Sequence, residues 1–339
     1  MAAGLAGNSG GTMRWVIRIV LGLLVIGGLG LGALWVLKPW VPEIQMAEPG
    51  ETGRRIAEPG LLANYFPAEG SGPHPAIILL GGSEGGLARA AVRTAKELQK
   101  AGFSVLHVSY FRGPDQPYSL EEVPLETFDR ARDWLKAQAL VDANRLGIVG
   151  ISKGAEAALL YASRNSDIRA VVAGVPSNVV WVGINWDYGG AGFRSSWSQG
   201  GKALPHLPFG TYDWNEGVVS GYRNGLKALD QHQDAIIPVE KIAGPVLLVC
   251  GEADRLWPSC DMARLVEARA KEKGAPAVTV LAYADAGHAA FGVPLAADHP
   301  NLKALGSIGG SPEGNNAARE DSWPKTLAFL REHLGPPPQ

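Results

Sequence analysis

The chain has 339 residues, with 31 Lys and Arg against 33 Asp and Glu and a formal net charge of −2. That balance excludes a basic nucleic-acid footprint and an acidic tail, and 46% apolar against 19% charged residues excludes an intrinsically disordered chain. Two cysteines exclude a disulfide-dense scaffold and cannot alone build a Cys₄ zinc site.

In chain order, Arg14 and Arg18 precede an uncharged stretch from Ile19 to Leu37. At ~1.5 Å per residue a helix of this length spans about 28 Å, enough to cross a bilayer core. Trp15, Trp35 and Trp40 flank it, as interfacial belts prefer. The expectation is a tail over residues 1–18, a transmembrane anchor over 19–37 partnering the lipid bilayer, and a Pro- and Glu-rich linker over 38–60. A signal sequence, cleaved or not, is the alternative. The run exceeds the usual signal core of roughly 7–15 residues, and no clear small-x-small cleavage site follows. Arg14 and Arg18 face Lys38, Arg54 and Arg55 across the segment, so the positive-inside rule assigns no side. Gly28 and Gly32 have the G-x-x-x-G spacing that lets two helices approach in a homodimer.

A repeating pattern then runs over residues 61–334, ahead of a short tail at 335–339. Short apolar runs predict strands at Ala76–Leu80, Ser104–Tyr110, Leu146–Val149, Ile168–Val175, Val246–Cys250 and Val278–Tyr283. Helical spacing predicts helices at Ala88–Lys100, Leu125–Gln138, Gly154–Arg164, Met262–Lys273 and Trp323–His333. Alternation of this kind implies an α/β fold, with a mostly parallel sheet covered on both faces. Residues 183–236 break the rhythm and are dense in aromatics, which suggests an inserted lid. Trp181, Trp186 and Trp214 are its candidate substrate contacts.

The pattern G-x-S-x-G occurs at Ser9, Ser83 and Ser152. Ser9 precedes the apolar segment, where nothing suggests a packed turn. At Ser152 a predicted strand runs straight into Gly150-Ile151-Ser152-Lys153-Gly154 and then into a helix, with no spare loop, as a nucleophile elbow requires. Gly81 to Gly86 around Ser83 is looser and suits a second oxyanion donor. Ser152 is therefore the candidate nucleophile, with the backbone N–H groups of Lys153, Ser83 and Gly82 as candidate oxyanion donors. A serine needs a base, usually a histidine oriented by a carboxylate, and this strand–turn–helix arrangement orders them Ser, Asp or Glu, His. Asp254 and His288 follow the last two predicted strands, Val246–Cys250 and Val278–Tyr283, in that order. Helix capping is the bland role for Asp254, and Glu252 is its local rival. The other six histidines show no metal-ligand spacing, so neither a metal nor a cofactor is expected. Cys250 is expected to pack at a strand end and Cys260 to start a helix, with a disulfide only if the domain faces an oxidising compartment.

Several segments together resemble one family. They are Val123-Pro124-Leu125-Glu126-Thr127-Phe128 through Trp134-Leu135; Leu146-Gly147-Ile148-Val149-Gly150-Ile151-Ser152-Lys153-Gly154-Ala155-Glu156; and Ala170-Val171-Val172 to Pro176-Ser177 and Trp181. The others are Gly251-Glu252-Ala253-Asp254 with Trp257-Pro258-Ser259, Gly287-His288, Gly309-Gly310, Gly314-Asn315 and Asp321-Ser322-Trp323-Pro324. Over roughly residues 61–334 they resemble the C-terminal catalytic domain of the acyl-CoA thioester hydrolase / bile acid-CoA:amino acid N-acyltransferase (BAAT) family. The resemblance implies an α/β-hydrolase fold, acyl-CoA substrates, an acyl-enzyme intermediate and a triad at Ser152, Asp254 and His288. Members that conjugate amino acids carry a cysteine nucleophile, so by the resemblance serine at 152 favours hydrolysis over conjugation. Unlike the better-known members, the chain has room ahead of this domain only for an apolar segment and a linker. An outward-facing domain would put coenzyme A esters out of reach. The alternatives are a carboxylesterase or dienelactone-hydrolase-like esterase, acyl transfer to an amino acid, and a non-catalytic membrane-tethered binding protein.

Overall fold

The computed structural model describes residues 9–274 and 277–335. Residues 1–8 of the expected N-terminal tail and 336–339 of the expected C-terminal tail lie outside the described residues. The chain divides into two units, residues 1–42 and residues 43–339. The first holds helix α1 (Ser9–Leu37), which begins ten residues before the predicted span. Its apolar side chains are exposed from Met13 to Leu37. The length and composition suffice to cross a membrane, and a signal sequence meets the same description.

The second unit is built on an eight-stranded sheet. Strands β1 (Arg54–Glu58), β2 (Leu61–Phe66), β3 (His74–Leu80) and β4 (Ser104–Ser109) form one half, with helix α2 (Arg89–Lys100) after β3. After the two-residue strand β5 (Val123–Pro124) come α3 (Glu126–Lys136), β6 (Val141–Ile151), α4 (Lys153–Ala162) and β7 (Ile168–Gly174). An excursion carries β8 (Trp197–Gln199), β9 (Lys202–Ala203) and α5 (Val218–Leu226). The chain returns through β10 (Val246–Gly251), α6 (Ser259–Lys273), β11 (Val278–Tyr283) and α7 (Pro312–Leu334).

The strand order is β1-β2-β4-β3-β6-β7-β10-β11. The β1–β2 and β2–β4 pairs are antiparallel and the rest are parallel. Alternate strand residues feed two cores, as the two-residue side-chain period requires. Ile78, Ile148 and Leu248 pack with α3, α4 and α6, whereas Ile77, Val149 and Val249 pack with α2 and α7. The chain passes from β3 to β4 and from β6 to β7, in opposite directions along the strand order, which opens a crevice at the C-terminal ends of β3 and β6.

Three differences from expectation have physical causes. The stretch read as a linker over 38–60 contains β1, an edge strand in which only Ile56 is buried, so its charged sequence hides the period. Strand β2 is buried throughout, yet Asn64 sits in it, because that side chain bonds Arg55 and the Ala47 carbonyl. Helix α7 continues through Pro324, and Ser311 caps its true start by accepting from the Gly314 N–H.

His107, buried in β4, is pushed down to about 3 by burial and then by the Arg55 charge. The unfolded chain therefore binds a proton that the folded chain rejects between about pH 3 and the ordinary value near 6.5. Stability is accordingly present above pH 6.5 and lost as pH falls. The urea midpoint is expected to drop from pH 7 to pH 5, and His107→Phe is expected to flatten that slope. An unchanged slope in the variant would remove His107 as its cause.

Candidate active site

The elbow at Ser152 is imposed by backbone packing. The residue joins β6 to α4 at φ 57° and ψ −121°, a left-handed conformation that costs a serine roughly 1–3 kcal/mol. Its N–H donates to the Gly174 carbonyl at 2.9 Å, which ties the turn to β7. A Cβ at Gly150 would lie 2.0 Å from the Gly154 carbonyl oxygen, and one at Gly154 would lie 2.2 Å from that of Gly81. Both glycines are therefore obligatory, and their absence of side chains lets the β3 and β6 loops touch.

The three candidate residues meet as the chain order suggests. Ser152 Oγ lies 2.9 Å from His288 Nε2, and His288 Nδ1 lies 2.9 Å from Asp254 Oδ2. With Nδ1–H donating to the carboxylate, Nε2 is left to accept the serine proton. Asp254 is buried, and its second oxygen accepts from the Leu256 and Trp257 N–H groups at 2.9 and 3.3 Å. The Ser259 hydroxyl donates to Oδ2 at 2.7 Å. Glu252 turns outward to an ion pair with Arg264, which removes it as a rival. Asn315 holds the histidine loop. It accepts from the Gly287 N–H at 2.9 Å and donates to the Gly309 carbonyl at 2.9 Å.

Cys250 packs near the end of β10 and Cys260 stands in the first turn of α6, as expected. Cys250 and Cys260 form a disulfide, Cα–Cα 5.1 Å, that closes the loop carrying Asp254. Ten residues apart in sequence, one at a strand end and one at a helix start, they are brought together by the turn of that loop.

The candidate oxyanion donors are not equivalent. The Lys153 backbone stands at the first position of α4. The Gly82 N–H donates to Glu84 Oε1 at 3.1 Å, so a carboxylate occupies that donor. Burial pushes the Glu84 carboxyl up, against hydrogen bonds from the backbone N–H groups of Glu84 and Gly82 and the His288 charge. Tyr110 fixes the loop by donating to the Gly81 and Gly82 carbonyls at 2.7 and 2.8 Å. The Ser83 carbonyl accepts from Trp186 Nε1 at 3.1 Å.

The Lys153 side chain is buried, and no pattern in the sequence flagged it. Its Nζ reaches Glu156 at 3.0 Å, Ser196 Oγ at 2.8 Å and the Val182 carbonyl at 3.3 Å. Glu156 in turn accepts from the Trp181 N–H at 3.1 Å and Trp197 Nε1 at 2.8 Å. Burial pulls the lysine down and pushes the glutamate up, and each opposes the shift of the other. This ion pair ties the elbow to the inserted segment.

A cavity of about 400 Å³ lies between the elbow and that insertion, walled by Val182, Ile184, Trp186, Phe209, Tyr222 and Trp257, with Ser152 at its edge. Of the three tryptophans expected to contact substrate, Trp186 alone lines it. Trp181 is fully buried and packs edge-on against Tyr222, ring centroids 4.9 Å apart. Trp214 is 89% exposed and touches Tyr212 instead. Aromatic density marked the segment but could not distinguish a core ring from a surface ring. Among the described residues, no group of three or more His, Cys, Asp or Glu side chains could hold a metal ion.

Comparison with known proteins gives a consistent picture. The family model described as BAAT / Acyl-CoA thioester hydrolase C terminal matches residues 123–336. Mouse bile acid-CoA:amino acid N-acyltransferase is 30% identical over 314 residues, covering 89% of this chain and 68% of that protein. Rat acyl-coenzyme A thioesterase 1 is 28% identical, covering 87% of this chain and 68% of that protein. The chain thus spans about two thirds of the length of these relatives. Among solved structures, a dienelactone hydrolase-like promiscuous phosphotriesterase from metagenomic libraries superimposes with TM-score 0.53 at 17% identity, covering 83% of this chain and 98% of that one. Pyrococcus horikoshii acylaminoacyl peptidase superimposes with TM-score 0.51 at 14% identity, covering 85% and 41%. These two likenesses establish an α/β-hydrolase-like fold.

Proposed function

The chain belongs to the BAAT / acyl-CoA thioester hydrolase C-terminal family and is a hydrolase of that family, and from this premise we propose that it cleaves acyl thioesters through Ser152, His288 and Asp254. The observation that carries the proposal is the unbroken chain of 2.9 Å contacts from Ser152 through His288 to Asp254 beside an apolar cavity. His288 takes the serine proton as Oγ attacks the acyl carbonyl, and Asp254 holds the imidazole tautomer and stabilises the imidazolium. The tetrahedral oxyanion forms beside the Lys153 N–H, with the Gly82 N–H as second donor once Glu84 withdraws. Such donors are worth roughly 10²–10³ in rate each. Collapse of the intermediate breaks the C–S bond, and His288 returns its proton to the departing thiolate. Water, deprotonated by the same imidazole, then releases the acid. Serine at position 152 supports water rather than an amino acid as acceptor. Residues 19–37 within α1 serve as a single-pass anchor, with residues 61–334 as the catalytic domain.

A second reading, an ester hydrolase in an oxidising compartment, has the Cys250–Cys260 disulfide behind it. One experiment separates the two. The purified chain is offered a panel of acyl-CoAs, read by free-thiol release, and matched p-nitrophenyl esters. Faster thioester turnover that depends on Ser152 supports the first reading. Turnover of esters alone supports the second.

A further inference from the structure

Ser152 also borders a second cavity, of about 640 Å³, which lies on the His288 side of the elbow. Its wall contains three arginines. Arg89 is exposed at its rim, whereas Arg93 of α2 and Arg319 of α7 are partly buried. Both of the latter are held in place by backbone. Arg319 Nε donates to the Ala289 carbonyl at 2.7 Å, and Arg93 donates to that of Pro294. The carbonyl of Ala289 immediately follows the candidate base, so the Arg319 guanidinium is anchored to the histidine loop itself.

Among the described residues neither guanidinium has a carboxylate partner. The acidic side chain in the same wall, Glu84, is engaged by the Gly82 N–H. Burial, and then the neighbouring charge of Arg93, push Arg319 down to about 10. Enclosing one cation costs free energy unless a counter-charge is supplied, and placing a second beside it adds to that cost. The enclosed Lys153, by contrast, is paired within the chain with Glu156. An arginine pair left without an acid, in a cavity that opens on the nucleophile, suits an anion brought in by the substrate. Guanidinium recognises phosphate through two parallel hydrogen bonds.

We propose that Arg93 and Arg319 form an anion subsite that takes a phosphate group on the leaving-group side of the substrate. The acyl chain then occupies the apolar cavity, and Ser152 stands where the two cavities meet. The choice of which cavity takes which end rests on the acyl-transfer reading of Ser152 given above; the anion subsite itself does not.

The test is a binding measurement that requires no turnover. Isothermal titration calorimetry of the full chain in detergent compares free coenzyme A with pantetheine, which lacks the phosphates together with the adenosine, so the salt dependence and the arginine variants isolate the phosphate contribution. Coenzyme A is expected to bind at least tenfold tighter, and raised NaCl is expected to narrow that ratio because the contact is ionic. A hydrogen bond to a charged group is worth about 1.5–3 kcal/mol, so Arg93→Gln and Arg319→Gln should each weaken coenzyme A roughly tenfold or more while leaving the pantetheine affinity in place. Equal affinities for the two probes in the wild-type chain would overturn the proposal without recourse to any variant. A ratio that persists in both variants would overturn the assignment to this arginine pair. Failure of the thioesterase reading would appear separately, as absence of thiol release from acyl-CoA, whatever the binding ratio.

Discussion

Ser152→Ala is expected to lower kcat by roughly 10⁴–10⁶, with the Tm unchanged or higher. Ser152 Oγ is the one hydroxyl in contact with His288 Nε2 among the hydrogen bonds of the described residues, so no neighbour can take over the attack. The backbone N–H groups around the elbow remain and account for the residual rate. A fluorophosphonate probe should label the wild-type chain and not the variant. The same position stores backbone strain, because the serine holds φ at 57°. Ser152→Gly removes the strain together with the nucleophile. It is expected to be equally inactive but more stable than Ser152→Ala, by roughly 1 kcal/mol in calorimetry. Retained turnover in the alanine variant would sink the assignment of Ser152. Equal stability of the two variants would show that the elbow is unstrained.

Glu156→Gln is expected to destabilise the domain by about 3–5 kcal/mol, because it leaves the Lys153 ammonium buried without its counter-charge. For a domain of this size the loss corresponds to a Tm decrease on the order of 10 °C. The glutamine can still accept from Trp181 and Trp197 through its carbonyl oxygen, so the loss isolates the charge rather than those hydrogen bonds. The double variant Lys153→Met with Glu156→Gln removes both charges and keeps the acceptor. It is expected to recover most of the lost Tm, since well-packed neutral replacements of a buried pair are commonly tolerated. Thermal denaturation followed by circular dichroism checks both. A single variant as stable as wild type would mean that the lysine loses its proton at little cost. A double variant no better than the single would place the effect in packing. Activity should follow the same order, because the Lys153 backbone sits at the oxyanion position and its side chain fastens that turn to the insertion through Ser196 and Val182.

The site was more legible than its surroundings. Ser152, Asp254 and His288 stand out as candidates because each follows an apolar run, and the tight elbow at Ser152 together with the chain order ranks them. The structure brings all three within hydrogen-bonding distance. The supporting residues carry no such signal. Lys153 and Glu156 look like an ordinary solvated pair three residues apart on a helix. Only the segment folded over them makes them a buried pair. Asn315 belongs to a segment that carries the family resemblance, but it lies 27 residues beyond the histidine it steadies and nothing in the sequence ties it to that loop. Glu84 reads as one more turn residue in a glycine-rich loop, yet its carboxylate reaches back onto the Gly82 N–H. The disulfide is expected only in an oxidising compartment, and nothing in the residues around Cys250 and Cys260 says which compartment the domain faces.

What the sequence determined by itself was local and periodic. Apolar runs and helical spacing specify the parallel strands and their helices, because burial on both faces forces a run and burial on one face forces a stripe. The glycines at 150 and 154 around Ser152 specify the elbow, because no other residue permits that approach. Tertiary structure decided what depends on neighbours distant in the chain. The strand order that opens the crevice, the edge strand β1 with one buried side chain, and the separate fates of Trp181, Trp186 and Trp214 are of this kind. So are the paired cysteines and the unpaired arginines. Burial and charge compensation belong to the surroundings of a side chain, and those surroundings exist only once remote segments have packed against each other.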